Sequence, residues 1–448
     1  MAEQPTADFA VKARWVVPVE PRGVVLEDHA VLVRGGRIAG VLPASRLDRL
    51  DPEQVGEVID RPDHALLPGL VNAHTHAAMT LLRNAGSGLA LDEWLRGRIW
   101  PLEARLVDEQ FVADGTEIAV AEMLSGGITC FADMYYYPEV AAQVAARTGM
   151  RAAIGLPVLE QPTAWAQDLD EYLTRGLELR DRYRGDPLVA TMFVLHSPSA
   201  TGDATLARVR TLADQLQAPV MTHLLESPAE RTREERKHGR GPLQRLEAAG
   251  LLNDLLIAVH CVQVDMAEIG QLAAAGASVV HCPSSNLKLA SGIAPVTAMR
   301  EAGIRLALGT DGAASNDRLD LLGEMRLAAM LAAGSTGNAT ALSPAAVLEM
   351  ATLGGASTLG LGEATGSLVA GKWADMACIR LQQPYVAAGG DVIGSILYAA
   401  GRADVSDTWV AGHHLFADGH LRRISLGELR VRAAAWHRRA LAVAGLLG

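Results

Sequence analysis

The chain opens with short apolar runs broken by turns. Phe9-Ala-Val-Lys-Ala-Arg-Trp-Val-Val-Pro18, Ala30-Val-Leu-Val-Arg-Gly-Gly-Arg-Ile-Ala-Gly-Val-Leu42 and Glu57-Val-Ile-Asp60 read as strands, and Gly35-Gly36 suits a hairpin turn. From about residue 66 to 365 the pattern changes. Apolar runs of strand length alternate with longer Ala/Leu/Glu/Arg stretches at helical spacing, which predicts βα units and a parallel sheet. Eight candidate strands end near His76, Asp133, Pro157, His196, His223, His260, His281 and Asp311, the first of them running from Leu66. Leu177–Arg184 and Asp203–Gln217 read as amphipathic helices, the second with Asp203 as its N-cap. Gly149, Gly250, Gly276 and Gly303 stand before strands, where glycines that end helices are expected. After residue 365 short β-like runs return, clearest in Gly366–Ile379 and Thr408–Phe416, and are expected to pair with the first β unit. Leu426–Leu447 reads as a closing helix. The expected division is 1–65 and 366–424 for a discontinuous β domain, 66–365 for the eight-unit barrel and 425–448 for the helix.

The strand ends carry the chemistry. Seven of the eight finish in His or Asp, and active sites of (β/α)8 barrels form at those ends. In a strand, residues i and i+2 share a face, so His74 and His76 project into one space. With His223 and Asp311 they make three imidazoles and one carboxylate, a set suited to one Zn²⁺ with an open position, and Fe²⁺ fits it too. His196 stands where a lysine would be needed for a carbamylated bridge between two metals, so one ion per subunit is expected. Glu226, three residues beyond His223, is placed to shuttle a proton without binding the metal. Asp311 holds the attacking water while ligating, and His260 orients that water. His281, followed by Cys-Pro, reads as a supporting or packing residue, and His413 and His414 as surface residues in a turn.

Composition narrows the class. Hydrophobic residues make up 49% of the 448, enough for a large core, and the net charge is −11 with no basic stripe, which argues against nucleic acid and anionic membranes. The arginines of 231–245 and 422–439 alternate with Glu or Ala and read as solvated helix faces. Cys130, Cys261, Cys282 and Cys378 form no CxxC pair and read as core residues. No apolar run reaches the roughly 18 residues of a membrane span, and Met1–Pro5 lacks the marks of a signal peptide, so a cytoplasmic protein is expected. A symmetric homo-oligomer is the general expectation for such an enzyme.

Pro68-Gly-Leu-Val-Asn-Ala-His-Thr-His76, His223-Leu-Leu-Glu226, His281-Cys-Pro-Ser-Ser-Asn-Leu-Lys-Leu-Ala-Ser-Gly292 and Thr310-Asp-Gly-Ala-Ala-Ser-Asn316 together resemble the amidohydrolase superfamily almost end to end. Met79-Thr-Leu-Leu-Arg-Asn-Ala-Gly86, Asp92-Glu-Trp-Leu95 and Ile99-Trp-Pro-Leu-Glu103 resemble its 5′-methylthioadenosine/S-adenosylhomocysteine deaminases, which group with triazine hydrolases. The resemblance implies an α/β fold, a (β/α)8 TIM barrel with a small discontinuous β-sandwich, and hydrolytic deamination of an adenine ring in a nucleoside. It also implies that Glu103 binds both ribose hydroxyls, that His196 lies on the ribose side, that Ser315 contacts the base and that Trp94 walls the thioether tail. One departure lies beside the pocket: Ser197-Pro-Ser-Ala-Thr201 follows His196, with Ser199 where many relatives carry an aromatic residue.

Two other readings compete. The same site could act on a pterin, guanine-like or triazine ring, for which a ribose-binding Glu103 would have no use. A barrel without catalysis would need to have lost its ligands, and all of them are in place.

Overall fold

In the computed structural model, residues 7–387 and 390–445 are described; Met1–Pro5 and the last residues of the expected closing helix lie outside them. The first segment forms β1 (Phe9–Val16), β2 (Leu26–Arg34), β3 (Arg37–Pro43) and β4 (Val58–Pro68). The next eight strands are β5 (Leu70–Thr75), β6 (Ile128–Asp133), β7 (Arg151–Pro157), β8 (Val189–Leu195), β9 (Val220–Leu224), β10 (Leu256–His260), β11 (Ser278–His281) and β12 (Arg305–Leu308). The chain closes with β13 (Met376–Arg380), β14 (Val405–Val410), β15 (His413–Ala417), β16 (His420–Leu421) and a helix at Leu426–Ala444.

The small domain is a mixed sheet in the order β16-β15-β14-β13-β4-β1-β2-β3, so its two segments meet where β4 pairs with β13. Its far edge curls back: the Ile38 N–H donates to the Lys372 carbonyl and the Gly371 N–H to the Ile38 carbonyl, both at 2.8 Å. Alternating residues then face a shared interior, where Val11, Val33 and Ile38 pack with Met376, Cys378 and Trp409. Gly36 permits the closure. It sits at φ +74°, and a Cβ there would stand 2.5 Å from the Ala411 carbonyl oxygen.

The eight central strands are parallel and hydrogen-bonded in sequence order from β5 to β12. They are buried almost throughout, which is why they read as continuous apolar runs instead of alternating ones. Inward residues such as Val71, Ala132, Val194, Met221, Val259 and Ala307 fill the barrel beneath the site. The seam between the last and first strands is closed by Asn72. Its side-chain oxygen accepts from the Thr310 N–H (2.9 Å), and its amide donates to Thr310 Oγ1 (2.7 Å). The Asp311 N–H adds a bond to the His74 carbonyl at 3.0 Å. Gly309 lies so close that a Cβ would meet the His74 backbone nitrogen at 2.9 Å.

Several sequence expectations shift. Leu66, Leu67 and Pro68 belong to β4, so the two sheets meet at Gly69, not after residue 65, and the barrel's first strand begins at Leu70. The helix expected from Leu177 spans Leu169–Arg182, because Asp168 accepts from the Glu171 N–H (2.9 Å) and caps it a full turn and more upstream. Gly202, not Asp203, is the N-cap of the next helix, and Asp203 turns to Arg245 instead. Arg245 is not on a solvated face. It is 2% exposed, pairs with Glu234 at 3.0 Å and donates to the carbonyls of Pro198 (2.6 Å) and Thr201 (2.7 Å). His414 lies in β15, stacks on Trp409 (4.3 Å between ring centroids) and reaches Asp407 at 2.9 Å, so it is a packing residue of the small sheet. All four cysteines are buried and free, as core residues. Among the described residues no helix is long and apolar enough to cross a membrane.

Asn72→Leu keeps the side-chain size but strips the buried Thr310 N–H of its acceptor. We expect a loss of about 1–3 kcal/mol in urea unfolding, with weaker metal retention because the seam carries Asp311. Unchanged stability and metal content would show that the seam does not depend on this pair.

Candidate active site

At the C-terminal end of the barrel, five side chains from four strand ends converge. His74 lies in β5 and His76 follows it; His223 lies in β9 and His260 ends β10; Asp311 follows β12. His260 (φ +73°) and Asp311 (φ +58°) adopt left-handed backbone, uncommon for residues other than glycine, at the points where their strands must turn their side chains into the site.

Backbone carbonyls set two of the histidine tautomers. His76 Nδ1 lies 2.5 Å from the Met134 carbonyl oxygen, and His223 Nδ1 lies 2.7 Å from that of His196. A carbonyl only accepts, so each Nδ1 carries a proton and each Nε2 is the atom turned toward the site. His223 Nε2 stands 3.2 Å from His74 Nε2, and Asp311 Oδ1 stands 3.2 Å from His76 Nε2 and 3.4 Å from His74 Nε2. Ligands at 2.0–2.1 Å around a tetrahedral ion are separated by about 3.3 Å, so these donors fit one divalent metal. The donor atoms of His74, His223, His260 and Asp311 also lie within 4.8 Å of one another. His260 lies at the margin of this cluster: its Nδ1 bonds the side-chain oxygen of Asn286 (2.8 Å), and its Nε2 faces Glu226 Oε2 at 3.8 Å.

Burial lowers the His74 pKa to about 4 and pushes His223 well below its usual value, which keeps both as neutral ligands. Burial also opposes charge on His76, but the hydrogen bond and charge of Asp311 outweigh it and raise its pKa to about 9. Burial works in the other direction on Asp311, yet its bonds to His74 and His76 hold it well below the usual carboxylate range. Asp311 is therefore an anion ready for a cation.

Glu226 is 8% exposed, and burial raises its pKa, which suits a group that must both take and give a proton. Glu103 lines the same cavity, and burial raises its pKa to about 7, opposed by a 2.7 Å hydrogen bond from the Tyr135 hydroxyl. The cavity joins His76, His223, His260, Glu226 and Asp311 to an apolar wall that includes Met79, Trp94 and Leu289. Trp94 is fixed by its indole N–H, which donates to the Ala85 carbonyl at 2.9 Å. His196 also lines the cavity, and burial lowers its pKa to about 4, so it is neutral.

Two expectations change. Ser315 does not line the cavity. The short helix Ala313–Asn316 turns its hydroxyl back to Asp311 Oδ2 at 2.8 Å, where Ser285 also donates at 2.6 Å. Ser315 thus bonds the carboxylate of the candidate metal-donor set. Ser199 lines no part of this cavity either, because Arg245 ties down the turn that bears it. His281 is 1% exposed, and neither ring nitrogen has a partner among the described residues. Sequence reading missed Ser285 and Asn286, which orient Asp311 and His260, and Tyr135, which anchors Glu103. Polar residues inside the Pro283–Lys288 stretch, directly after a strand end, were the available signal.

The amidohydrolase family description matches residues 65–415. A 5-methylthioadenosine/S-adenosylhomocysteine deaminase of Teredinibacter turnerae is 42% identical over 97% of this chain and 98% of its own. A 5′-deoxyadenosine deaminase of Methanosarcina mazei is 37% identical over 92% and 93%. A crystal structure of an adenosine deaminase from Xanthomonas campestris with bound zinc superposes with a TM-score of 0.95 at 46% identity, covering 97% of this chain and 99% of that one.

Ser315→Ala and Ser285→Ala each remove a donor to Asp311. Metal affinity should fall about 10–100-fold, measured by competition with a chromophoric chelator, while KM at saturating metal stays near wild type. A raised KM with intact metal affinity in Ser315→Ala would instead place that hydroxyl on the substrate.

Proposed function

The chain belongs to the amidohydrolase family, and from that premise we propose that it hydrolytically deaminates the adenine ring of S-adenosylhomocysteine and 5′-methylthioadenosine, releasing ammonia and the inosine analogue. It is a hydrolase of C–N bonds in cyclic amidines, and its cofactor is a zinc ion. The observation that carries the nucleoside reading is Glu103: a buried carboxylate, oriented by Tyr135, in the same cavity as the metal donors. Two neighbouring hydroxyls on one carboxylate make a bidentate pair, and a bare ring offers none.

His74, His76, His223 and Asp311 would hold the ion, which would supply Lewis acidity and lower the pKa of water toward about 7. Asp311 and His260 hold the attacking water by hydrogen bond, and the Asn286 side chain keeps His260 Nε2 directed toward it. Glu226 takes the proton from this water as its oxygen bonds to the ring carbon bearing the amino group. Glu226 then delivers that proton to the adjacent ring nitrogen. The remaining hydroxyl proton passes to the amino group, the C–N bond breaks, and ammonia leaves as the ring carbonyl forms. His260 Nε2, left with its lone pair because Nδ1 donates to Asn286, accepts from the attacking water and orients it. The apolar side chains of Met79 and Leu289 exclude water around the ring, and Trp94 walls the thioether tail. His196, neutral and beside Glu103 in the cavity wall, takes the ribose side. As one chain among soluble enzymes it is expected to form a homo-oligomer in the cytoplasm.

The reading is tested by following the adenine-to-hypoxanthine absorbance change with zinc-loaded protein. S-adenosylhomocysteine and methylthioadenosine should be converted rapidly and free adenine slowly. Protein holding one metal per chain that converts no nucleoside would overturn the reading. Glu226→Gln should lower kcat by about 10²–10⁴-fold with metal content unchanged. Because Glu103 binds hydroxyls as a carboxylate, nucleoside KM should fall as pH rises through about 7. In Glu103→Gln that dependence should disappear and KM should be high throughout.

A further inference from the structure

Glu230 is a buried carboxyl that the reaction scheme above does not use. It is 7% exposed and lies in the first turn of the helix Pro228–His238, four residues beyond Glu226. Its Oε2 accepts from the Glu226 N–H at 2.9 Å, and its Oε1 is buried with no partner among the described residues. Burial raises its pKa to about 7, against the opposing pull of the Glu226 and Leu225 N–H groups. An acidic residue at a helix start is ordinarily solvated, or closes a capping box on the N-cap residue. Glu230 does neither: it reaches past the N-cap, Ser227, to the residue before it. A buried carboxyl with one unpaired oxygen is costly, and such a cost calls for a task.

The task is visible in the peptide that Glu230 holds. The Glu226 N–H shares a peptide unit with the Leu225 carbonyl, and that carbonyl accepts from the Gln263 N–H at 2.8 Å. Gln263 is held in turn by Arg231, which donates to its carbonyl (3.1 Å) and pairs with Glu268 (2.7 Å). Neighbouring residues of one helix thus fix the peptide from both sides, Glu230 directly and Arg231 through Gln263. A peptide unit is rigid and planar, so pinning both of its polar groups sets where the Glu226 Cα stands. The pinning is needed because Leu225 lies at φ +49°, a left-handed conformation that a bulky residue seldom adopts.

We propose that Glu230 is the positioning residue of the proton shuttle. Resting on the deaminase reading above, it holds the Leu225–Glu226 peptide in the turn after β9 so that the Glu226 carboxylate reaches both the attacking water and the ring nitrogen. Glu230 lines no part of the substrate cavity and acts only through that peptide.

Two substitutions separate reach from charge. Glu230→Asp keeps a carboxylate at the helix start but, one methylene shorter, falls short of the Glu226 N–H. Glu230→Gln keeps the reach and an oxygen that accepts the bond, and loses the charge. With S-adenosylhomocysteine as substrate and one zinc per chain in every variant, Glu230→Asp should lower kcat about 10–100-fold at unchanged KM, and Glu230→Gln should stay within about threefold of wild type. A residue needed only for its charge at the helix start predicts the reverse order. In the Glu226→Gln background, where no shuttle remains to be placed, Glu230→Asp should cost nothing further. Wild-type kcat in Glu230→Asp, equal losses in the two variants, a loss carried by KM or metal content, or an added loss in the double variant would each overturn the proposal and leave the deaminase reading in place. Zinc-loaded wild-type protein that converts no nucleoside would overturn that reading and this proposal with it.

Discussion

The site depends on the closure between β5 and β12. Asn72 accepts from the Thr310 N–H and donates to its hydroxyl, and the Asp311 N–H reaches the His74 carbonyl. These bonds join the two ends of a barrel separated by more than half the chain. They also set the distance at which one carboxylate faces two imidazoles. Gly309 and Gly312 make the approach possible, since a Cβ at Gly312 would press on Met79 Sδ at 3.0 Å and on His76 Cβ at 3.2 Å. Buried polar groups at a seam must be paired, so the same atoms that close the fold also hold the donor geometry.

Burial then sorts the titratable groups by role. It keeps His74, His196 and His223 neutral, and it pushes Glu226 and Glu103 toward the protonated form. Asp311 escapes that pressure through His74 and His76, and two serine hydroxyls and the Gly312 N–H, at 2.8 Å, also donate to it. One low-dielectric space thus holds a permanent anion beside carboxyl groups whose pKa values burial raises. Their chemical type is the same; their hydrogen-bond donors differ.

The rim is organised by ion pairs. Arg245 anchors the turn after β8 through two carbonyls, Glu234 and Asp203, so that turn is shaped from behind by a buried arginine. Arg233 pairs with Asp92 at 2.7 Å, linking the helix after β9 to the segment that carries Trp94. These pairs hold the walls between which a substrate must pass.

Periodicity in the chain determined the architecture. Eight apolar runs spaced by helical stretches admit a parallel barrel, and His or Asp at their ends marked the catalytic end. His74, His76, His223, Glu226, His260 and Asp311 were all legible, because strand geometry alone sends i and i+2 side chains to one face. What the chain could not state locally was decided by contacts between distant segments. Leu66–Pro68 look continuous with the strand that follows, yet pair with β13, because hydrogen-bond partners lie outside any local window. Arg245 has the neighbours of a surface residue and is buried by groups from the turn after β8. Ser315 reads as a pocket residue, but a four-residue helix after the strained Asp311 turns its hydroxyl onto the carboxylate. Local pattern specifies which elements form and which face is apolar; only tertiary packing decides where each polar side chain finds the partner that its burial demands.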